Sequence, residues 1–196
     1  MRVIGGSAKR RRLLAPPGRS IRPTADRVKE ALFNILALKI PGARFLDLFA
    51  GTGSIGIEAL SRGAARVVFV DRSPRAVNLI RENLRRTGMS QKSAVFGQDA
   101  FTALNLLGRK GERFDLIYID PPYKKGYETK ALRSIAGRCL LAPGGLAVCE
   151  SDCRDELPET VEDLVLVRCE RYGDTVLSFY RTAGESVTAR QEQDNT

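Results

Sequence analysis

From Arg44 to Glu150 the chain alternates short apolar runs with amphipathic segments, and this alternation constrains the fold more than any other feature. The runs Arg44 to Leu48, Arg66 to Val70, Ala94 to Phe96, Phe114 to Ile119 and Gly145 to Glu150 have strand length and are bounded by turn residues. Helical patterns fill the intervals: Ser54 to Arg62, Pro74 to Arg86, Ala100 to Leu107 and Lys130 to Cys139. Strand, helix and strand in series predict a parallel sheet covered on both faces. The rule breaks at Val165 to Arg171 and Thr175 to Tyr180, which only the turn at Tyr172-Gly173-Asp174 separates. A connection that short cannot cross over, so these strands must pair antiparallel.

Charge is uneven along the chain. Of a net +9, much sits at the start, where Arg2, Lys9, Arg10, Arg11, Arg12, Arg19, Arg22, Arg27, Lys29 and Lys39 face only the acids Asp26 and Glu30. Such a field attracts phosphate polymers, although a solvated basic arm is the plainer alternative. Met1 to Pro23 mixes short apolar pieces with Gly5-Gly6 and Pro16-Pro17-Gly18 and reads as a β-hairpin or basic arm. Thr24 then offers an N-cap to an amphipathic helix through Val28, Ala31, Leu32, Ile35 and Leu36, ending near Ile40. The expected organisation is a basic extension over 1–40, a catalytic domain over 41–182 and a flexible polar tail over 183–196.

Several chemistries are excluded. Histidine is absent, which removes Ser-His-Asp and Cys-His catalysis and histidine-ligated zinc hydrolysis. Of Cys139, Cys149, Cys153 and Cys169 only the middle two are close, and no second pair completes a metal site. No metal is expected; Cys149 and Cys169 are read as small buried strand residues in a reducing compartment. No apolar run approaches the ~18 residues of a membrane span, and no signal core follows the basic start, so the expected location is the cytoplasm.

The segment Asp47-Leu48-Phe49-Ala50-Gly51-Thr52-Gly53-Ser54-Ile55-Gly56 lies where the first parallel strand turns into a helix. Its glycines match the spacing of nicotinamide and flavin sites, with Asp71 ~20 residues beyond Gly51 where a ribose-binding acid belongs. The spacing alone does not choose the cofactor. Asp47 tilts the choice, because a carboxylate closing the strand repels pyrophosphate but suits the ammonium of a methionine moiety. S-adenosylmethionine is therefore favoured, with Asp71 at the ribose or, alternatively, capping the next helix, and Gly97-Gln98-Asp99-Ala100 facing the adenine. Phe49, Thr52 and Gly53 in the loop, Arg72 beside Asp71, and Ala100 beside Asp99 complete the candidate cofactor set. With the terminal hairpin, this predicts the α/β class I S-adenosylmethionine-dependent methyltransferase architecture: a doubly wound, mostly parallel seven-stranded sheet.

Asp120-Pro121-Pro122-Tyr123 follows directly on Phe114 to Ile119, at the carboxyl end of a buried strand. Two prolines end the strand in a rigid turn with an acid at one end and an aromatic at the other. An exocyclic base amine delocalises its lone pair and needs alignment rather than a strong base. Asp120 and the Pro121 carbonyl can each accept an amino hydrogen, and Tyr123 can stack on the base. DNA adenine N6, other RNA and protein glutamine share this planar conjugated acceptor; a nicotinamide-dependent oxidoreductase is the alternative from another class.

Beyond these general motifs, Arg2-Val3-Ile4-Gly5-Gly6, Arg22-Pro23-Thr24-Ala25-Asp26-Arg27-Val28-Lys29-Glu30-Ala31-Leu32-Phe33-Asn34 and Tyr172-Gly173-Asp174-Thr175 resemble a family over nearly the whole chain. That family is ribosomal RNA small subunit methyltransferase D, the bacterial 16S ribosomal RNA guanine-N2 methyltransferases. The resemblance implies methylation of one guanine N2 within an assembling small subunit, with S-adenosylhomocysteine as product. It also implies Asp47, Gly51, Gly53, Asp71 and Asp99 at the cofactor and Asp120 to Tyr123 at the base. Arg2, Arg10, Arg11, Arg12, Arg19 and Arg22 are the candidates for RNA phosphates. A monomer is expected.

Overall fold

Five short strands, β1 (Arg44–Leu48), β2 (Arg66–Val70), β3 (Ser93–Phe96), β4 (Phe114–Ile119) and β5 (Leu141–Asp152), run parallel in the order β3-β2-β1-β4-β5. This arrangement comes from a computed structural model that describes residues 1–16, 23–122 and 126–184. Helices α1 (Pro23–Ile35), α2 (Ser54–Ser61), α3 (Pro74–Thr87), α4 (Ala100–Arg109) and α5 (Tyr127–Ala136) supply the crossovers and the cover. A 3-10 turn at Ser90–Lys92 leads into β3. β8 (Thr175–Thr182) then inserts antiparallel between β5 and β7 (Leu164–Tyr172), with β6 (Thr160–Val161) outside β7. The doubly wound sheet with its antiparallel hairpin is as the sequence predicts, but among the described residues it has eight strands rather than seven. Two-residue β6 is too short for any period to register.

Alternation along each strand sorts side chains onto two faces. Phe45, Phe69, Leu116, Tyr118, Val148 and Phe179 meet Leu32, Phe33, Ile57, Ile80 and Leu84 on one face. Leu46, Leu48, Val70, Ile117, Ile119, Cys149 and Tyr180 meet Leu104, Leu107, Leu132 and Ile135 of α4 and α5 on the other. Each of the larger side chains contributes about 1.5–3 kcal/mol by full burial, an upper range set against the entropy of ordering it.

The start of the chain packs onto the first of these faces. Val3, Ala8 and Leu13 are buried in the same core as α1 and α2. The two arms of the expected N-terminal hairpin pair antiparallel around the Arg2–Arg12 bridge, with Val3 N–H donating to the Arg11 carbonyl at 3.0 Å, Arg10 N–H to the Val3 carbonyl at 2.9 Å and Leu13 N–H to the Met1 carbonyl at 3.1 Å. Other backbone groups of the segment bond to α2 and α3. Ile4 and Gly5 N–H donate to the two oxygens of Glu58 at 2.7 Å each, Ala8 N–H to Ser61 Oγ at 2.9 Å and Leu14 N–H to Asn83 Oδ1 at 2.8 Å. Gly6, at φ +74°, passes so close that a Cβ would lie 1.8 Å from the Ser61 carbonyl oxygen. Only glycine allows this contact. Glu58 is fully buried and is offset by Arg62 at 2.8 Å and by buried Lys29, whose Nζ donates to the Arg2 carbonyl. Removing one partner of such a group leaves an uncompensated charge.

Three local expectations differ from the structure. Pro23 takes the first helical position of α1, so Thr24 lies inside the helix and is not its cap. The helix ends at Ile35 rather than near Ile40, because Ala37 and Lys39 N–H bond to carbonyls three residues back, tightening the chain into turns before Pro41. Cys169 is exposed while Cys149 is buried. β7 lies beyond the helical layers, so alternation there does not mark a buried face.

Candidate functional site

The chain winds outward from β1 through β2 to β3, then resumes on the other side at β4. The carboxyl ends of β1 and β4 therefore border the crevice where open α/β sheets hold ligands. Leu48 and Ile119 are the last paired residues of these strands, so Phe49 and Asp120 leave the sheet side by side. The glycine loop and the Asp-Pro-Pro turn are brought together by this register.

The loop is built from left-handed residues at Phe49 (φ 66°), Gly51 (φ 56°) and Gly53 (φ 74°), the last capping α2. Phe49 is the costly member, since its Cβ disfavours this region. Its ring stacks on Tyr127 at 6.2 Å and 5°, and Tyr127 meets Phe101 edge-on at 5.7 Å. Gly56 is required by packing, as a Cβ would fall 2.3 Å from the Phe69 ring.

Asp47 is 2% exposed, and its Oδ2 accepts the Gly56 N–H at 2.9 Å. Burial pushes its carboxyl up to about 7; Asp71 adds to that rise and the Gly56 bond opposes it. Asp71 ties the loop to α3, accepting Gly51 N–H through Oδ2 and Ser73 N–H through Oδ1, both at 2.8 Å. Ser73, not Asp71, caps α3. Asp99 caps α4, its Oδ1 accepting from Phe101 and Thr102 N–H. Arg72 is exposed, Ala100 is buried at the start of α4, and Thr52 donates from Oγ1 to the Met1 sulfur at 3.3 Å.

These residues fit an S-adenosylmethionine-like ligand. Two ionisable carboxylates, Asp47 and Asp71, suit an ammonium and ribose hydroxyls, and each carboxylate retains acceptor capacity beyond its backbone bonds. Gln98 adds a buried side-chain nitrogen without a hydrogen-bond partner, a donor free for a purine ring nitrogen. A Cβ on Gly51 would meet nothing nearer than 4.0 Å, so the loop is open at that point.

On the acceptor side Asp120 is half-buried, Pro121 buried and Pro122 exposed; Tyr123 lies outside the described residues. Beneath the turn, Tyr118 donates its hydroxyl to Glu150 on β5. Burial, then the nearby Glu150, Asp120 and Asp47 carboxylates, hold the Tyr118 phenol well above its ordinary value. Burial also raises Glu150, against the bond from Tyr118. Sequence reasoning missed Glu150, Tyr127 and Asn83. The available signals were an acid at a strand's carboxyl end for Glu150 and an aromatic just after the proline turn for Tyr127; Asn83 had none.

Of the candidate phosphate contacts, Arg2, Arg10, Arg11 and Arg12 are exposed, and Arg11 donates to the Arg86 carbonyl at 2.8 Å. Arg19 and Arg22 lie outside the described residues. No helix among the described residues is long and apolar enough to cross a membrane.

Comparison with known proteins agrees with this geometry. Residues 1–181 match the family described as Conserved hypothetical protein 95. The chain is 44% identical to the Bacillus subtilis protein YlbH over 94% of this chain and 100% of that one. It is 32% identical to ribosomal RNA small subunit methyltransferase D of Escherichia coli over 95% and 93%. The structure of Escherichia coli yhhF superposes with TM-score 0.81 at 30% identity, covering 93% of this chain and 97% of that one. A SAM-dependent methyltransferase from Agrobacterium tumefaciens shares the fold at TM-score 0.60 and 19% identity, over 90% of this chain and 65% of its own. With the glycine loop and the Asp-Pro-Pro turn set on adjacent strand ends of a methyltransferase fold, the chain belongs to the ribosomal RNA small subunit methyltransferase D family.

Proposed function

We propose that the protein transfers a methyl group from S-adenosylmethionine to the exocyclic N2 of a guanine in 16S ribosomal RNA, within an assembling small subunit in the cytoplasm. The observation that supports this reading best is the Leu48–Ile119 register, which brings the glycine loop and the Asp-Pro-Pro turn to neighbouring strand ends. The names of the relatives support ribosomal RNA as the substrate class.

Asp47, Phe49, Gly51, Thr52, Gly53, Asp71, Arg72, Asp99 and Ala100 form the cofactor side, joined by Gln98. When bound, S-adenosylmethionine supplies an electrophilic sulfonium methyl and leaves as S-adenosylhomocysteine. Asp120 and the Pro121 carbonyl accept the amine hydrogens, so the nitrogen lone pair points along the adjacent loop. The Asp120 carboxylate stabilises the positive charge that grows on nitrogen, and the proton then leaves to Asp120 or to water. Pro122 fixes the turn and Tyr123 stacks on the base, which must leave its own stack to arrive there. Residues 1–40 contribute the phosphate contacts, with Arg2, Arg10, Arg11, Arg12, Arg19 and Arg22 along one monomer.

The test is transfer from labelled S-adenosylmethionine to 16S RNA and to partly assembled subunits, with nucleoside analysis. Product at N2 of guanosine, reduced at least about 100-fold in Asp120→Ala while S-adenosylhomocysteine binding persists, is expected. Label in DNA adenine or protein glutamine instead would overturn the guanine assignment.

A further inference from the structure

The acceptor turn has a second carboxylate beside it. Ile119 of β4 pairs with Cys149 of β5, so the next residues, Asp120 and Glu150, stand at the same level of neighbouring strands. Tyr118 and Val148, two residues earlier, both enter the core with α2 and α3, while Ile119 and Cys149 both enter the opposite one. Alternation therefore directs Asp120 and Glu150 to the Asp47 side of the sheet. Adjacent strands are ~4.8 Å apart, close enough for two carboxylates to meet one edge of one base. The Tyr118 hydroxyl donates to Oε2 of Glu150, which fixes that side chain and leaves a second oxygen to accept.

The chemistry of the base edges decides what such a pair can read. Adenine carries its amine next to N1, and cytosine next to N3, both ring nitrogens that only accept. Guanine alone places its amine next to a ring N–H. Two acceptors side by side thus match guanine and repel the lone pairs of the others. Resting on the amine-methylation reading above, we propose that Glu150 is the residue that specifies the base: it accepts guanine N1–H while Asp120 accepts a hydrogen of the 2-amine. Tyr118 is its positioning residue. Sites built to pair a particular polar group reject analogues lacking it by large factors, because a buried group is left unpaired.

The test uses 2,6-diaminopurine, which keeps the 2-amine but presents N1 as an acceptor. After the modified nucleotide is mapped, ligated small-subunit RNA carrying guanine or diaminopurine there is assembled and compared by kcat/KM. The wild-type protein is expected to favour guanine by at least about 100-fold. In Glu150→Gln the amide can donate to diaminopurine N1, so the preference should fall at least about tenfold or invert. A ratio unchanged from wild type in this variant overturns the proposal and assigns Glu150 to holding Tyr118. Should Glu150→Gln lose S-adenosylhomocysteine binding, Tyr118→Phe serves in its place: reduced discrimination supports the proposal and unchanged discrimination overturns it. Absence of N2-methylguanosine with the wild-type protein overturns the parent reading and this one together, which separates the two failures.

Discussion

At Asp47 two requirements pull in opposite directions. The side chain is buried and its carboxyl is raised from 3.8 to about 7, so folding favours the protonated form. Its contribution to stability is complete below about pH 4 and is lost as pH rises towards about 7. In the proposed cofactor role, pairing with the ammonium of the ligand's amino-acid moiety needs the anion, so binding should follow the reverse course. S-adenosylhomocysteine affinity is expected to weaken by up to about tenfold per pH unit below 7, while the free protein grows more stable over the same range. Melting with and without the ligand from pH 5 to 8 checks both trends. Asp47→Asn should flatten each; a binding profile that keeps its slope in this variant would assign the titration to another group.

Among the elements, α3 connects the two ends of the site. Buried Asn83 donates from Nδ2 to the carbonyls of Leu14 and Thr52 and accepts the Leu14 N–H, so one side chain holds both the N-terminal segment and the glycine loop. Asn83→Ala leaves these part-buried backbone groups without that partner, at about 1 kcal/mol or more of stability. Hydrogen exchange should accelerate at Leu14 and in the Gly51–Gly53 loop together. Acceleration in one segment alone would show that they are held independently.

The elements also show what a sequence can and cannot reveal. Alternating strands and helices were legible because burial on both faces demands apolar runs, and the strand-end positions of Asp47 and Asp120 were legible because glycines or prolines mark the adjoining turns. Asn83 was not, since a polar residue within an amphipathic helix reads as solvent-facing until the chain folded against it is known. Glu150 was hidden for a related reason: its meaning comes from Asp120 on the neighbouring strand, a juxtaposition created by register. At the N-terminus the turn residues announce the chain reversal but not its packing on α2, where Gly6 passes the Ser61 carbonyl.

For the whole molecule, a net charge of +9 makes association with RNA salt-dependent. Arg10 and Arg12 are exposed on the segment that packs over α2 and α3, so their charges are carried on a fixed surface. The Arg10→Ala, Arg12→Ala double variant should bind RNA more weakly at low salt, with the slope of log affinity against log salt reduced by about 1.4. Titrations at several salt concentrations measure this; an unchanged slope would place the phosphate contacts elsewhere.

The position of β8 matters for how the protein is made. It is the last described strand along the chain, yet it lies inside the sheet, paired to β5 on one side and β7 on the other. During synthesis β5 is left with a bare hydrogen-bonding edge until residues 175–182 have left the ribosomal tunnel, and β7 has no neighbour through which to join the sheet. A nascent chain halted before that point carries both ligand-loop motifs but only half of the scaffold around Glu150. Its open edge is a template for pairing with other chains, which gives synthesis that is slow or interrupted before residues 175–182 emerge a direct route to aggregation.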